Sequence, residues 1–351
     1  MKLLVIALSG IGDALMFTPP LTLLKKQNST LEIDALVMYK GVQDIYNRTG
    51  FFNQIYYFDF LNASKLSSLK FVLSLRKKYT HSINVYPSNR KEYNLIQFLI
   101  GAGSRGGVKY LRSDLSGLGF LNNLRILEND SLHNVQENVA LISKMFNINS
   151  DSEFPLVFNL LDQDIDYSNR FFLEHQISDN ELIVGFHPGC STLKNHIMRR
   201  WEPDKFAALA KLLIEKNRAK VLVFGGPEET ELKNQIVNLT DKKDIISVNT
   251  NNLAQTAAII KKCSLFVTND SSLMHVAASQ SVKTYAIIGP TNKNYIHPWK
   301  TAYEVISLDL TCSPCFIYSP APLQCGRSDI KYKCIKELSP EFVYSKLQIK
   351  N

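Results

Sequence analysis

The stretch Leu3-Leu4-Val5-Ile6-Ala7-Leu8-Ser9-Gly10-Ile11-Gly12-Asp13 decides how this chain is read. Its uninterrupted apolar run, without alternation, describes a strand covered on both faces, as in a parallel sheet. A glycine-bearing turn and an acid follow. Residues 13–27 then have helical spacing, with Pro19-Pro20 bending the start of the helix. Strand, glycine turn and helix open a βαβ unit. The turn is not a dinucleotide fingerprint, because the third glycine of G-x-G-x-x-G would fall at position 15, which is Leu15. Ser9, Gly10 and Gly12 instead offer a pliable backbone beside Asp13. Spacing alone favours Asp13 as a cap of the helix over a general base.

Outward from this stretch the alternation continues. Strands are predicted over 32–38 and 82–86, and helices over 61–78 and 135–146. Around 149–166 the pattern weakens as Asp and Asn become frequent. A second series then places strands at 182–187, 219–224, 245–248, 265–268 and 284–288, with helices at 203–217, 228–239, 253–263 and 271–279. A chain of 351 residues suits two domains at about 100–200 residues each. The expected architecture is α/β: two Rossmann-like, doubly wound parallel sheets facing a central cleft, with ligands at the carboxyl ends of the strands. The expected domains are 1–155, 156–335, and a C-terminal helix in 336–351 that packs back on the N-terminal domain.

Composition is that of a globular protein, 45% hydrophobic and 21% charged, which argues against disorder. The net charge of +8 is uneven. Residues 1–150 carry 17 basic and 10 acidic side chains, against 23 and 22 in the remainder. A basic first half favours an anionic partner, or is simply a solvated face. Basic-aromatic interleaving, which would argue for nucleic acid, is absent. The first apolar run is shorter than the about 7–15 residues of a secretory signal. No stretch approaches the about 18 apolar residues of a membrane span. The expectation is a cytoplasmic protein whose membrane contact, if any, is peripheral. Six cysteines do not suggest a disulfide scaffold. Cys312, Cys315, Cys325 and Cys334 contain a single C-x2-C, half of a zinc pattern. A structural zinc and a set of reduced thiols both remain open, the thiols being the plainer reading.

The second series carries the chemistry, at strand ends. Gly185-Phe186-His187-Pro188-Gly189-Cys190-Ser191-Thr192, followed by Lys194, Arg199, Arg200 and Trp201, combines amides, hydroxyls and guanidinium groups suited to a diphosphate. In Gly225-Gly226-Pro227-Glu228-Glu229, Glu228 is suited to ribose hydroxyls, or merely to the first turn of a helix. Thr268-Asn269-Asp270-Ser271-Ser272-Leu273-Met274-His275 places Ser271 and Ser272 at a helix N-terminus, with Asp270 and His275 facing the same site. A lone histidine is more often packed than functional. Gly289-Pro290-Thr291 forms a fourth loop in the same position.

Together these segments resemble glycosyltransferase family 9, the ADP-heptose:lipopolysaccharide heptosyltransferases. The likeness rests on residues 4–13 with Thr18-Pro19-Pro20, on His187-Pro188-Gly189-Cys190-Ser191 with Arg199-Arg200-Trp201, on residues 223–229, and on residues 268–278 with Gly289-Pro290-Thr291. The cysteine-rich tail also looks like that of many members. The resemblance implies a GT-B fold and an inverting, metal-independent transfer of heptose from an ADP-sugar to a lipopolysaccharide core, at the cytoplasmic face of the inner membrane and without a cofactor. It implies Asp13 as catalytic base, with Ser9, Gly10 and Gly12 in the acceptor loop. Glu228 would hold the donor ribose, and Asp270, Ser271, Ser272 and His275 would form the donor loop. Arg199 stands where the family usually has Lys, and Ser272 where it usually has Gly. Lys194, Arg199 and Arg200, with Ser191 and Thr192, are the candidates for phosphate contact. A different nucleotide-sugar enzyme of this fold, a UDP-sugar transferase or an epimerase, is the alternative.

Overall fold

The computed structural model describes all residues except 150–152, 179, 318–320 and 350–351, and omits the side chains of residues 193 and 194. The chain forms two compact units, Met1–Asn159 and Leu160–Asn351. The expected boundary stretch, 149–166, falls partly on residues outside that description.

The first unit runs β1 (Lys2–Ala7), α1 (Ile11–Met16), α2 (Thr18–Gln27), β2 (Glu32–Val37), α3 (Lys40–Asn47), β3 (Gln54–Tyr57), α4 (Lys65–Ser74), β4 (His81–Asn84), α5 (Lys91–Ile100), β5 (Ser104–Lys109), β6 (Leu124–Leu127) and α6 (Asn134–Phe146). Its six strands are parallel, in the order β3-β2-β1-β4-β5-β6. The apolar run at the start of the chain is therefore a central strand, buried along nearly its whole length. The helix expected over 13–27 is two helices meeting at Phe17. Pro19 and Pro20 occupy the first turn of α2, where a missing N–H leaves no hydrogen bond unmade. At this break the Thr18 hydroxyl donates to Leu15 O at 2.7 Å and accepts Val157 N at 2.8 Å, fastening the last segment of the unit. The helix expected over 61–78 occupies only Lys65–Ser74, started by the Ser64 side chain accepting from Ser67 N.

The second unit runs α7 (Asp162–Glu174), β7 (Ile183–His187), α8 (Pro203–Asn217), β8 (Lys220–Val223), α9 (Thr230–Thr240), β9 (Ile245–Ser247), α10 (Leu253–Lys261), β10 (Leu265–Asn269), α11 (Ser272–Ser279), β11 (Thr284–Ile287), α12 (Lys293–Ile296), β12 (Tyr303–Ile306), α13 (Lys333–Lys336) and α14 (Pro340–Lys346). Its parallel order, β12-β11-β10-β7-β8-β9, repeats that of the first unit when counted from its own first strand. In both sheets the chain begins at the centre, winds outward on one side and crosses back to the other. This doubly wound pattern leaves a crevice where the direction reverses.

Trp201, Phe186 and Phe206 are fully buried in the core of the second unit, and the Trp201 indole N–H donates to Leu338 O at 2.9 Å. Leu338, Val343 and Leu347 complete this same core, and the Tyr344 hydroxyl donates to Asn217 Oδ1 at 2.8 Å. The apolar stripe of this short helix packs on α8 of its own unit. Around Gly289 and Pro290, Cys315 N donates to Pro290 O at 2.9 Å, and burial pushes the Cys334 thiol up to about 11. Among the described residues, no three His, Cys, Asp or Glu side chains form a group able to hold a metal ion. No described helix is long and apolar enough to cross a membrane.

Candidate nucleotide-sugar site

The reversal of winding in the second unit lies between neighbours β7 and β10. His187 ends β7, and Asp270-Ser271 follow β10. The two loops are bonded to each other: His187 Nδ1 lies 2.7 Å from Ser271 Oγ. On its other side His187 Nε2 lies 3.1 Å from Glu229 Oε2. The second Glu229 oxygen accepts from Arg200 Nη2 at 3.1 Å, and Arg200 also donates to Cys190 O at 2.8 Å. A chain of contacts, Ser271–His187–Glu229–Arg200, therefore crosses three strand-end loops, and both His187 and Glu229 are buried. Burial alone would raise the Glu229 carboxyl. The His187 ring, the Gly226 amide and Arg200 outweigh it and hold the group below the usual carboxylate range. Gly189 is required here, since a Cβ at that position would overlap the Glu229 carboxylate.

A second pair lies alongside. Arg199 Nη1 donates to Asp270 Oδ2 at 2.5 Å, and the Thr291 hydroxyl donates to the same oxygen at 2.7 Å. The Arg199 guanidinium also sits 5.3 Å from the centre of the Phe316 ring. Asn269 aligns the loops, donating to Pro188 O at 2.7 Å and accepting from Trp201 N at 3.0 Å. Arg199 and Arg200 each keep a buried Nε without a protein partner. Buried donors are normally satisfied, so two neighbouring exceptions point to an anionic ligand. Ser271 occupies the N-cap of α11 yet does not cap it, because its hydroxyl is engaged with His187 and with Thr268 at 3.2 Å. The first-turn amides of α11, its positive end, are left without a side-chain cap.

The other predicted residues are distributed unevenly. Ser272 opens α11. Ser191 and Thr192 are exposed, and the Lys194 side chain lies outside the described residues. Glu228 is exposed at a cavity of about 490 Å³ that Arg200, Trp201, Glu231, Gln235 and Tyr332 also line. His275 is packed inside α11; burial pushes it down to about 4, so it is neutral, and its Nδ1 has no hydrogen-bond partner. The sequence reading passed over His187, Glu229 and Thr291 as individual site residues, although all three lie in the quoted loops. The available signal was position: His187 is the last residue of a fully buried strand, and a polar side chain there faces the crevice mouth.

In the first unit the corresponding reversal lies between β1 and β4. There the Ser9 hydroxyl donates to Pro87 O at 2.8 Å, tying the two strand-end loops. Asp13 Oδ2 accepts from Gly10 N at 3.2 Å: Asp13 is not the N-cap but the third residue of α1, bonding back to the amide of the N-cap Gly10. Gly12 lies within α1. A Cβ on Gly10 would meet no atom within 4 Å, so the space over the turn is open. The Asp13 charge also acts on Tyr46, whose hydroxyl is raised first by burial and then by that carboxylate.

The profile of the family described as "Glycosyltransferase family 9 (heptosyltransferase)" matches residues 69–322. Lipooligosaccharide heptosyltransferase 2 of Campylobacter jejuni is 33% identical over 172 residues, 48% of this chain and 50% of that one. The chain spans about half the length of the Campylobacter relatives it matches. Lipopolysaccharide heptosyltransferase 2 of Escherichia coli is 27% identical over 246 residues, 67% of either chain. The structure of Escherichia coli ADP-heptose lipopolysaccharide heptosyltransferase II superposes with a TM-score of 0.73 at 22% identity, covering 98% of this chain and 97% of that one, a likeness of the GT-B fold. The matched profile runs through parts of both units and over most of the chain, and on that ground the protein belongs to glycosyltransferase family 9.

Proposed function

We propose that this protein is an inverting heptosyltransferase that moves a heptose from ADP-heptose to a lipopolysaccharide core acceptor without a catalytic metal. The names of its relatives support the sugar and the acceptor. The observation that carries the donor side is the uncapped N-terminus of α11 beside two half-buried arginines whose Nε donors are buried and unmet. That arrangement suits a diphosphate whose negative charge grows as it leaves.

Arg199, Arg200 and Lys194 supply the charge that a divalent cation would otherwise provide, with Ser191, Thr192 and Ser272 as further donors. Asp270 orients Arg199, and His187 holds the Ser271 hydroxyl. Glu228 takes the ribose hydroxyls. Asp13 removes the proton of an acceptor hydroxyl as its oxygen bonds to the anomeric carbon and the bond to ADP breaks, with inversion at that carbon. The basic first unit suits a phosphorylated glycolipid.

Calorimetry in EDTA with ADP, ADP-heptose, UDP-sugars and GDP-sugars tests the reading. Expected are selective binding of the ADP compounds and, with Asp13→Ala, retained binding but no transfer to a lipid A–Kdo acceptor. Binding of UDP-sugars instead, or a need for divalent metal, would overturn the donor assignment. NMR of the new glycosidic bond tests inversion.

A further inference from the structure

α4 is apolar on both sides, and only one side is used by the core. Phe71, Val72 and Leu75 pack toward the sheet. Leu66, Leu69 and Leu73, at i, i+3 and i+7, form a stripe on the opposite side. Leu66 is 63% exposed, and Leu69 and Leu73 are 42% and 40% exposed. α5 covers the same sheet face beside α4 and continues the pattern with Leu95 and Phe98, 44% and 45% exposed. Single exposed leucines need no explanation, but a run of them across two neighbouring helices does.

The charge around these leucines is mainly positive. Lys65 and Lys70 lie on α4, and Arg76, Lys77 and Lys78 follow it, all exposed. Arg105 lies 5.6 Å from the centre of the Phe98 ring. Glu92 on α5 and Asp59 before α4 are the acidic groups nearby in sequence. We propose that this α4–α5 face of the first unit docks on an anionic lipid bilayer. The leucines and Phe98 enter the headgroup–acyl boundary, and the lysines extend along it to the lipid phosphates. A second copy is the poorer occupant: a two-fold contact through this face would set Lys70 and its neighbours against their own counterparts. The inference rests on exposure and charge, and it does not depend on the transfer reaction.

The test is flotation of the purified protein, without donor or acceptor, with vesicles of 3:1 phosphatidylethanolamine:phosphatidylglycerol and with neutral phosphatidylcholine vesicles. Expected is binding to the anionic vesicles only, weakened by salt. The triple variants Leu66→Ser/Leu69→Ser/Leu73→Ser and Lys65→Glu/Lys70→Glu/Lys78→Glu should each lower partitioning by about 10-fold or more, with unchanged melting and unchanged ADP binding. Absence of binding by the parent protein, or equal binding by both variants, would overturn the proposal. So would concentration-dependent dimerisation abolished by the leucine variant, which would assign the face to a second copy.

Discussion

At the scale of single residues, the distinction that matters is between the adjacent acids Glu228 and Glu229. Both follow Gly226-Pro227, and the sequence reading singled out only Glu228 for a ligand role. The backbone turns one out and one in. Glu229 is buried between His187 and Arg200, while Glu228 is exposed at a cavity. Glu229→Gln removes the charge partner of the half-buried Arg200 guanidinium and should cost about 1–3 kcal/mol of stability in the second unit. Glu228→Gln should change stability by less than about 0.5 kcal/mol while raising the apparent Kd for ADP. Chemical denaturation with ADP titration separates the two; equal behaviour would refute the assignment. Asp13 differs again, because a cap and a base need the same half-buried carboxylate. Asp13→Asn keeps an acceptor for the Gly10 amide but removes the base. The expected outcome is a kcat lower by about 10²–10⁴-fold at little change in ADP-heptose affinity, measured by single-turnover transfer and calorimetry. A comparable loss of melting temperature would leave only the capping role.

At the scale of elements, the strand-end loops were legible because each follows an unbroken apolar run. What was hidden is that β7, β8 and β10, separated in sequence, bring His187, Glu229 and Ser271 within hydrogen-bond reach. No spacing rule contains that proximity; strand order creates it. The packing of the short tail was hidden for a similar reason. α14 has one apolar stripe, and sequence does not say which surface lacks a cover. Leu338, fully buried and accepting the Trp201 indole N–H through its carbonyl, shows that the tail belongs to the second core. Leu338→Ala should cost about 2–5 kcal/mol. In calorimetric unfolding the loss should appear in the transition of the second unit and leave that of the first unchanged. A shift of the first transition would contradict the packing.

At the scale of the whole molecule, the two units should respond oppositely to pH. In the first, burial pushes Glu137 up to about 7, with Glu128 and Asp130 adding to the effect against the bond from Asn129 N. The folded unit then keeps a proton that the unfolded chain releases near 4.5, so stability falls as pH rises from 4.5 to 7. In the second, burial pushes His275 down from 6.5 to about 4. The unfolded chain takes up a proton that the folded unit refuses, so stability falls as pH drops from 6.5 toward 4, by on the order of 3 kcal/mol. Calorimetry across pH 4.5–7 should show the transitions moving apart, with Glu137→Gln flattening one and His275→Gln the other. Parallel movement would sink both assignments.

Local sequence by itself determined the class of the fold, two successive parallel α/β units, and the loops that could carry chemistry. Unbroken apolar runs, glycine turns and helical spacing are properties of neighbouring residues, and they are present before any folding. Only the tertiary structure decided that each sheet has the same winding order, that Glu229 rather than Glu228 joins His187, that the N-cap hydroxyl of α11 serves His187 and not its own helix, and that the tail closes the second core. Each of these depends on which distant strand lies alongside which. That choice is made by burial summed over a whole sheet, and no window of the chain records it.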